Sequence, residues 1–273
     1  MKEKILELKN ISFSYDGGEK ALDDVSVSIY AGERIAVLGA NGAGKSTFFL
    51  HLNGVRQCNS GSIILDGEVI DNKKKRKLLQ QNIGIVFQDT DSQLIASTVK
   101  AEVAFGPMNM DLSKDQVEKY TMDAIEEMKL LDYIERPPHY LSGGEKKRVG
   151  IADILAMKPR IIVFDEPTAA LDPISAQMLE ETLELMENEG KTILLSTHDV
   201  DFAYRFAQRV LVFCDGKIIA DDTPEKIFDD EELLRRTNLK KPVILETYEL
   251  LLEKGLIKKE IVPKTLDQLR EIL

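Results

Sequence analysis

The spacing of apolar positions changes along this chain, and the changes predict its elements. Val25-Ser26-Val27-Ser28-Ile29 alternates strictly. Ile5-Leu6-Glu7-Leu8 and Ile11-Ser12-Phe13-Ser14-Tyr15 alternate before the turn signal Asp16-Gly17-Gly18. Period two predicts antiparallel strands with one face in water. Arg34-Ile35-Ala36-Val37-Leu38 is nearly continuous instead, as are Ile83–Phe87, Ile161–Phe164, Thr192–Ser196 and Val210–Phe213. Such runs predict strands buried on both faces of a parallel sheet. Ser62–Ile70 reads as a hairpin around Asp66-Gly67. Helices are predicted from Lys45 to about Asn53, through most of 89–160 and over 174–188. Within the second stretch Val117, Tyr120, Ala124, Ile125 and Met128 fall at helical spacing.

Beyond about residue 221 the style changes. Leu245, Tyr248, Leu251 and Leu252 form one stripe. Pro263 precedes Thr265-Leu266-Asp267-Gln268, which fits a capping box, with Leu266, Leu269 and Leu273 continuing one face. These patterns predict an α/β chain with a main domain at 1–220, a helical subdomain at about 89–160, and a small helical C-terminal lobe at 221–273.

Composition narrows the function classes. Among 273 residues, Asp+Glu outnumber Lys+Arg by 47 to 36, a formal net charge of −11. An acidic chain repels nucleic acid in bulk, so no nucleic-acid partner is expected. No apolar run approaches the ~18–20 residues that a bilayer span requires. The Met1-Lys2-Glu3-Lys4 start lacks a secretory apolar stretch. Cys58 and Cys214 match no metal spacing and read as reduced thiols. With three histidines there is little scope for a histidine metal cage, so chemistry must come from carboxylates, backbone donors or a bound ion. The run Lys73-Lys74-Lys75-Arg76-Lys77 suits a phosphate or an acidic partner, but a solvated helix face or loop is the commoner use of such a run.

Two segments carry chemistry directly. Gly39-Ala40-Asn41-Gly42-Ala43-Gly44-Lys45-Ser46-Thr47 matches G-x-x-x-x-G-K-[ST] between a buried strand and a helix. Glycines let the chain curl so that backbone N–H groups point inward, and the helix presents its positive end to phosphates. Lys45 is expected on the β- and γ-phosphates of a nucleotide and Ser46 on Mg²⁺. Ile161-Ile162-Val163-Phe164-Asp165-Glu166 ends a parallel strand in two carboxylates, at the edge where ligands bind. Asp165 is the expected Mg²⁺ ligand, through water. Glu166 is expected to orient or deprotonate the attacking water.

Leu141-Ser142-Gly143-Gly144-Glu145 is a third motif. Ser142 and Glu145 fit a capping box, and two glycines leave the helix end bare for an anion. A chain that already has one phosphate loop has a second such end to offer another subunit's nucleotide.

Through these motifs the chain resembles the ATP-binding cassette (ABC) ATPases over about 4–225. The resemblance rests on Tyr15, the loop at 39–47, Gln88, 141–144, Asp165-Glu166, Ala170-Leu171-Asp172 and His198, in that order. It implies a RecA-like P-loop NTPase core with an antiparallel β subdomain and an α-helical subdomain. It further implies adenine stacking on Tyr15 and Gln88 on Mg²⁺ and the lytic water. His198 would lie at the γ-phosphate and Asp172 across a dimer interface. Two such domains would pair head to tail, with Ser142, Gly143 and Gly144 of one closing on the phosphate loop of the other.

The stretch Val86–Leu94, with Val99, Glu102–Pro107 and Asn109, resembles the ATPases of energy-coupling factor importers, including the cobalt/nickel type. The C-terminal lobe fits that subgroup. Asp89-Thr90 departs from its usual Asn-Pro, Glu145 from a common Gln, and Asp153 from a small residue. The resemblance implies a peripheral ATPase at the cytoplasmic membrane face, pairing with a second ATPase subunit and with transmembrane coupling and substrate-binding subunits. The alternative is a soluble ABC ATPase acting on nucleic acid or the ribosome. Those typically insert a long coiled coil or join two cassettes, and neither fits this chain. A lone P-loop kinase or GTPase is disfavoured by the 141–144 segment and the lack of an Asn-Lys-x-Asp motif.

Overall fold

A computed structural model of the chain describes residues 3–90, 93–169, 171–258 and 261–273. Chain order begins with β1 (Lys4–Ser14), β2 (Lys20–Tyr30), β3 (Arg34–Leu38), α1 (Lys45–Leu52), β4 (Ser60–Leu65) and β5 (Glu68–Val69). There follow α2 (Lys73–Asn82), β6 (Ile83–Val86), α3 (Val99–Met108), α4 (Lys114–Glu127), α5 (Gly143–Ala156) and β7 (Ile161–Phe164). The chain continues with α6 (Pro173–Asn188), β8 (Thr192–Ser196), α7 (Val200–Phe206), β9 (Arg209–Cys214) and β10 (Lys217–Asp222). It closes with α8 (Pro224–Asp229), α9 (Glu231–Thr237), α10 (Val243–Glu253) and α11 (Leu266–Ile272).

The two strand patterns build two sheets. One is antiparallel, in the order β2-β1-β4-β5; the other runs β10-β9-β3-β8-β7-β6. In the second, β3 pairs in parallel with β8 and β9, and β7 with β6 and β8. Each buried run divides its side chains between two cores, because side chains alternate along a strand. Ile35 and Val37 face the layer shared with the antiparallel sheet, while Ala36 and Leu38 face the helices. Leu211 and Phe213 divide from Val210 and Val212 in the same way. The opposed demands on alternate residues explain why these strands are apolar throughout.

β10 was not anticipated. Its pattern of partly and fully exposed positions lacks an apolar face, and it pairs antiparallel with β9 at the sheet edge. The expected boundary between 220 and 221 falls inside this strand. After it, Ile227, Phe228, Leu234, Ile244, Leu245, Tyr248, Ile257 and Leu269 join the core that holds Tyr204, Val210 and Val212. The capping box expected at 265–268 is half formed. Thr265 Oγ1 accepts from Gln268 N at 3.3 Å, but Gln268 Oε1 accepts from Lys264 N at 2.7 Å rather than from Thr265. Of the leucines expected on one face there, Leu269 is buried while Leu266 and Leu273 are exposed.

Candidate active site

The phosphate loop leaves β3 and enters α1 with no side-chain cap and no acid in the first helical turn. By contrast, α3, α5, α6 and α7 are all capped by a Thr, Ser or Asp side chain. A bare N-terminus keeps its N–H groups for an anion. Gly44, the N-cap, sits at φ 108°, and a Cβ there would come within 2.6 Å of the Ala21 carbonyl oxygen. Only glycine permits that backbone and that closeness. Lys45 Nζ donates to the carbonyls of Gly39 (2.7 Å) and Ala40 (3.2 Å) and lies 3.9 Å from Glu166 Oε1. Burial pulls its pKa below the usual lysine value, against the opposing fields of Glu166 and Asp165.

A recess of about 300 Å³ opens over the loop. It is lined by Tyr15, Ala21, Ala40 to Thr47, Gln88, Asp165 and Glu166. The parallel sheet brings the ends of β3, β6 and β7 to one edge, and so joins segments far apart in sequence. Ser196, at the end of β8, links the two carboxylates. Its Oγ donates to Asp165 Oδ1 at 2.6 Å and accepts from Glu166 N at 2.9 Å. Glu166 itself has φ 48°, a costly conformation for a residue with a Cβ.

His198 Nε2 lies 2.9 Å from Asn41 Oδ1 and 3.1 Å from Glu166 Oε1. Its hydrogen-bond geometry favours Asn41, so buried Glu166 Oε1 is left without a hydrogen bond. Burial raises the Glu166 pKa, with the Asp165 charge adding to it; His198 and Lys45 oppose the shift. A carboxylate so placed can accept a proton from water.

The recess also offers hard oxygen donors. The Ser46 hydroxyl, the Asp165 carboxylate and the Gln88 side chain all line it. That sparse set suits Mg²⁺, which takes one or two carboxylates beside phosphate and water.

Tyr15 lies just past β1 with its hydroxyl 3.2 Å from Thr47 Oγ1. The Arg56 guanidinium carbon sits 5.3 Å from its ring centroid and Phe13 packs edge-on at 4.9 Å. A base stacking on Tyr15 therefore meets a cation–π pair already in place. Nothing in the sequence pattern singled out Arg56.

Ser142, Gly143 and Gly144 do not line this recess. They open α5 through the capping box predicted for them: Glu145 Oε2 accepts from Ser142 N at 2.7 Å, and Ser142 Oγ accepts from Glu145 N at 3.4 Å. A Cβ on Gly144 would collide with Ser175 Oγ. Ser175 Oγ in turn donates to Asp172 Oδ2 at 2.6 Å, while Asp172 Oδ1 caps α6 through Ile174 N and Ser175 N. Those bonds, Ser175 foremost, hold the Asp172 carboxyl below its usual pKa. The Ser142–Gly144 tip and Asp172 thus form a second cluster, apart from the phosphate loop. Ala170, and the Asp91 and Ser92 of the 86–94 stretch, lie outside the described residues.

Lys147 was missed by sequence reasoning. It sits two residues past Glu145 on α5, only 4% exposed, and donates to the carbonyls of Phe87 (3.0 Å) and Gln88 (3.3 Å). Burial lowers its pKa to about 8, against the opposing charges of Asp165 and Asp89. A lysine in a polar helical turn carries no pattern signal that marks it as buried.

The sequence profile of the ABC transporter family matches residues 22–169. The chain is 48% identical, over 248 residues, to the energy-coupling factor transporter ATP-binding protein EcfA of Methanosphaera stadtmanae, covering 90% of this chain and 89% of that one. Its fold matches the solved cbiO1 of Clostridium perfringens, part of the ABC transporter complex cbiONQ. There the TM-score is 0.77 and the identity 37%, over 92% of this chain and 100% of the other. A dimeric ATP-binding cassette, MJ0796, solved in a post-hydrolysis state with ADP and Pi, matches at TM-score 0.71 and 28% identity, over 81% and 99%. With this likeness spanning nearly its full length, and with the phosphate loop and acidic strand end meeting in one recess, the chain belongs to the ABC transporter ATP-binding family and is an ABC-type ATPase.

Proposed function

We propose that this chain is the ATPase subunit of an energy-coupling-factor-type importer, and that it hydrolyses Mg-ATP in a site completed by a second ATPase subunit. One observation carries the reading. The chain holds a phosphate-loop recess and a separate helix tip at Ser142, Gly143 and Gly144, and the tip has no part in the recess. Head-to-tail pairing of two chains joins tip to recess. Each chain has both halves, so a homodimer carries two complete sites and a heterodimer with a related ATPase is equally served.

In this reading Lys45 and the N–H groups of Gly42 to Thr47 bind the β- and γ-phosphates, and Tyr15 receives the adenine. Ser46, Gln88 and Asp165 hold Mg²⁺, which neutralises phosphate charge. Glu166 takes the proton of the attacking water. His198, held by Asn41, faces the γ-phosphate, and Gln88 orients the water. Ser142, Gly143 and Gly144 close over the phosphates from the opposite subunit, with Asp172 beside them. The catalytic gain comes from placing charge and donors where charge develops.

Among the described residues no helix is long and apolar enough to cross a membrane. In this reading transmembrane coupling and substrate-binding subunits supply the passage, as the likeness to energy-coupling factor ATPases supports, and this chain sits at the cytoplasmic membrane face. On the same reading, a short helix of the coupling subunit docks between the parallel-sheet core and the helical region around residues 89–140. The resemblance of the 86–109 stretch to energy-coupling factor ATPases, including the cobalt/nickel type, supports a metal ion (cobalt or nickel) or a vitamin as cargo. Co-purification from native membranes tests the assignment. Integral membrane subunits are expected with the chain, and recovery of ribosomes or DNA in their place contradicts it.

A further inference from the structure

Away from the nucleotide recess, positive charge gathers on one face of a chain whose net charge is −11. The start of α2 presents Lys73, Lys74, Arg76 and Lys77, which line a shared recess of about 710 Å³ with Gly54, Val55 and Gln80. The nearby acids do not neutralise them. Glu68 and Asp71 are both taken by Lys75, at 3.1 and 3.4 Å. Among the described residues no ion pair engages Lys73, Lys74 or Lys77. Arg76 is turned to the Gln57 side-chain amide, whose oxygen, when oriented toward the guanidinium, accepts from it at 2.9 and 3.2 Å.

Apolar side chains flank this charge. Val55 and Leu78 are 53% and 39% exposed, and Val69 is 45% exposed beside the Lys75 ammonium, which donates to the Val69 carbonyl at 3.1 Å. Lys73, Lys74 and Lys77 share their recess with the exposed Val55, and cations beside exposed aliphatic tips match the interfacial layer of an anionic bilayer, where phosphate and the first acyl carbons lie together. A purely solvated helix face requires the charges but not the three exposed aliphatic residues.

We propose that this face binds anionic phospholipid headgroups, so that α2 holds the ATPase flat on the membrane independently of its transmembrane partner. The choice of lipid as occupant rests on the peripheral ATPase reading. The charge complementarity stands on the side chains themselves.

The test uses the full chain in co-sedimentation with phosphatidylcholine vesicles, with and without phosphatidylglycerol. The expected result is binding to the anionic vesicles only, weakened by salt. A Lys73→Glu/Lys74→Glu/Lys77→Glu variant should bind about 10- to 100-fold more weakly, and the matching Gln variant should fall between. Both should keep wild-type ATP turnover, which shows they are folded. A Val55→Ser/Leu78→Ser variant should lose about 3- to 10-fold. Equal binding to neutral vesicles, a charge-reversed variant that binds like wild type, or full displacement by inorganic phosphate overturns the proposal. Lost turnover in the unmodified chain counts against the ATPase reading instead, so the two failures are distinguishable.

Discussion

In the proposed reading Glu166 is the base, and its surroundings set opposing demands. Burial and Asp165 raise its pKa, while Lys45 and His198 keep it from rising further. A base must be ionised, and a raised pKa moves the acidic limb of activity upward. Hydrolysis should therefore fall with pH at a value above the ordinary glutamate range, as a pH–rate profile will read. Glu166→Gln should lower kcat about 10²- to 10⁴-fold with ATP still bound; normal turnover removes the base from this residue. Lys45→Ala should weaken ATP binding about 10- to 100-fold in a titration, and unchanged affinity removes Lys45 from the phosphates. Lys147 holds the carbonyls of Phe87 and Gln88, so if Gln88 serves the proposed site, Lys147→Met should lower kcat while leaving the affinity for ATP near wild type. At this scale the sequence was legible where a residue stood in a rigid spacing, as at 39–47 and 165–166. Lys147, Arg56 and Ser196 were invisible because their partners are set by tertiary packing, not by neighbours in the chain.

The elements explain how the motifs meet, and α5 shows both the success and the limit of pattern reading. Its capping box was readable, because it depends on residues three apart. The environment of Asp153 was not. Asp153 lies half-buried on α5, and burial together with Glu102 on α3 pushes its pKa up to about 7. Glu102 is itself occupied, accepting from Ile95 N (2.9 Å) and Ala96 N (2.6 Å). A carboxyl whose folded pKa lies above its unfolded value stabilises the fold most at low pH, and that contribution is lost as pH rises through about 7. Asp153→Asn should therefore raise stability at pH 8 by about 1–3 kcal/mol. The gain should shrink toward pH 4, in denaturant titrations at both pH values. An equal gain at the two pH values contradicts the buried-acid account. The strands were legible for a related reason: burial on both faces leaves a continuous apolar run. β10 was not, because an edge strand with water on one side has no such obligation.

At the scale of the whole molecule, two clusters on one chain have to be reconciled. The phosphate loop, Asp165, Glu166 and His198 assemble along the edge of the parallel sheet. Ser142 to Gly144, Ser175 and Asp172 assemble where α5 meets α6. Order along the sequence announced both sets, but only the topology shows that they form separate surfaces within a chain. A membrane-facing α2 and a partner-facing α5 would then fix the subunit against lipid and against its twin. The most direct measurement is the mass of the Glu166→Gln protein by light scattering, with ATP and Mg²⁺ and without them. Twice the mass of the chain with nucleotide, and its return to one chain when Ser142 is also replaced by Arg, is the predicted result. A strictly monomeric protein under saturating ATP, alone and when mixed with a related ATPase subunit, contradicts a shared site.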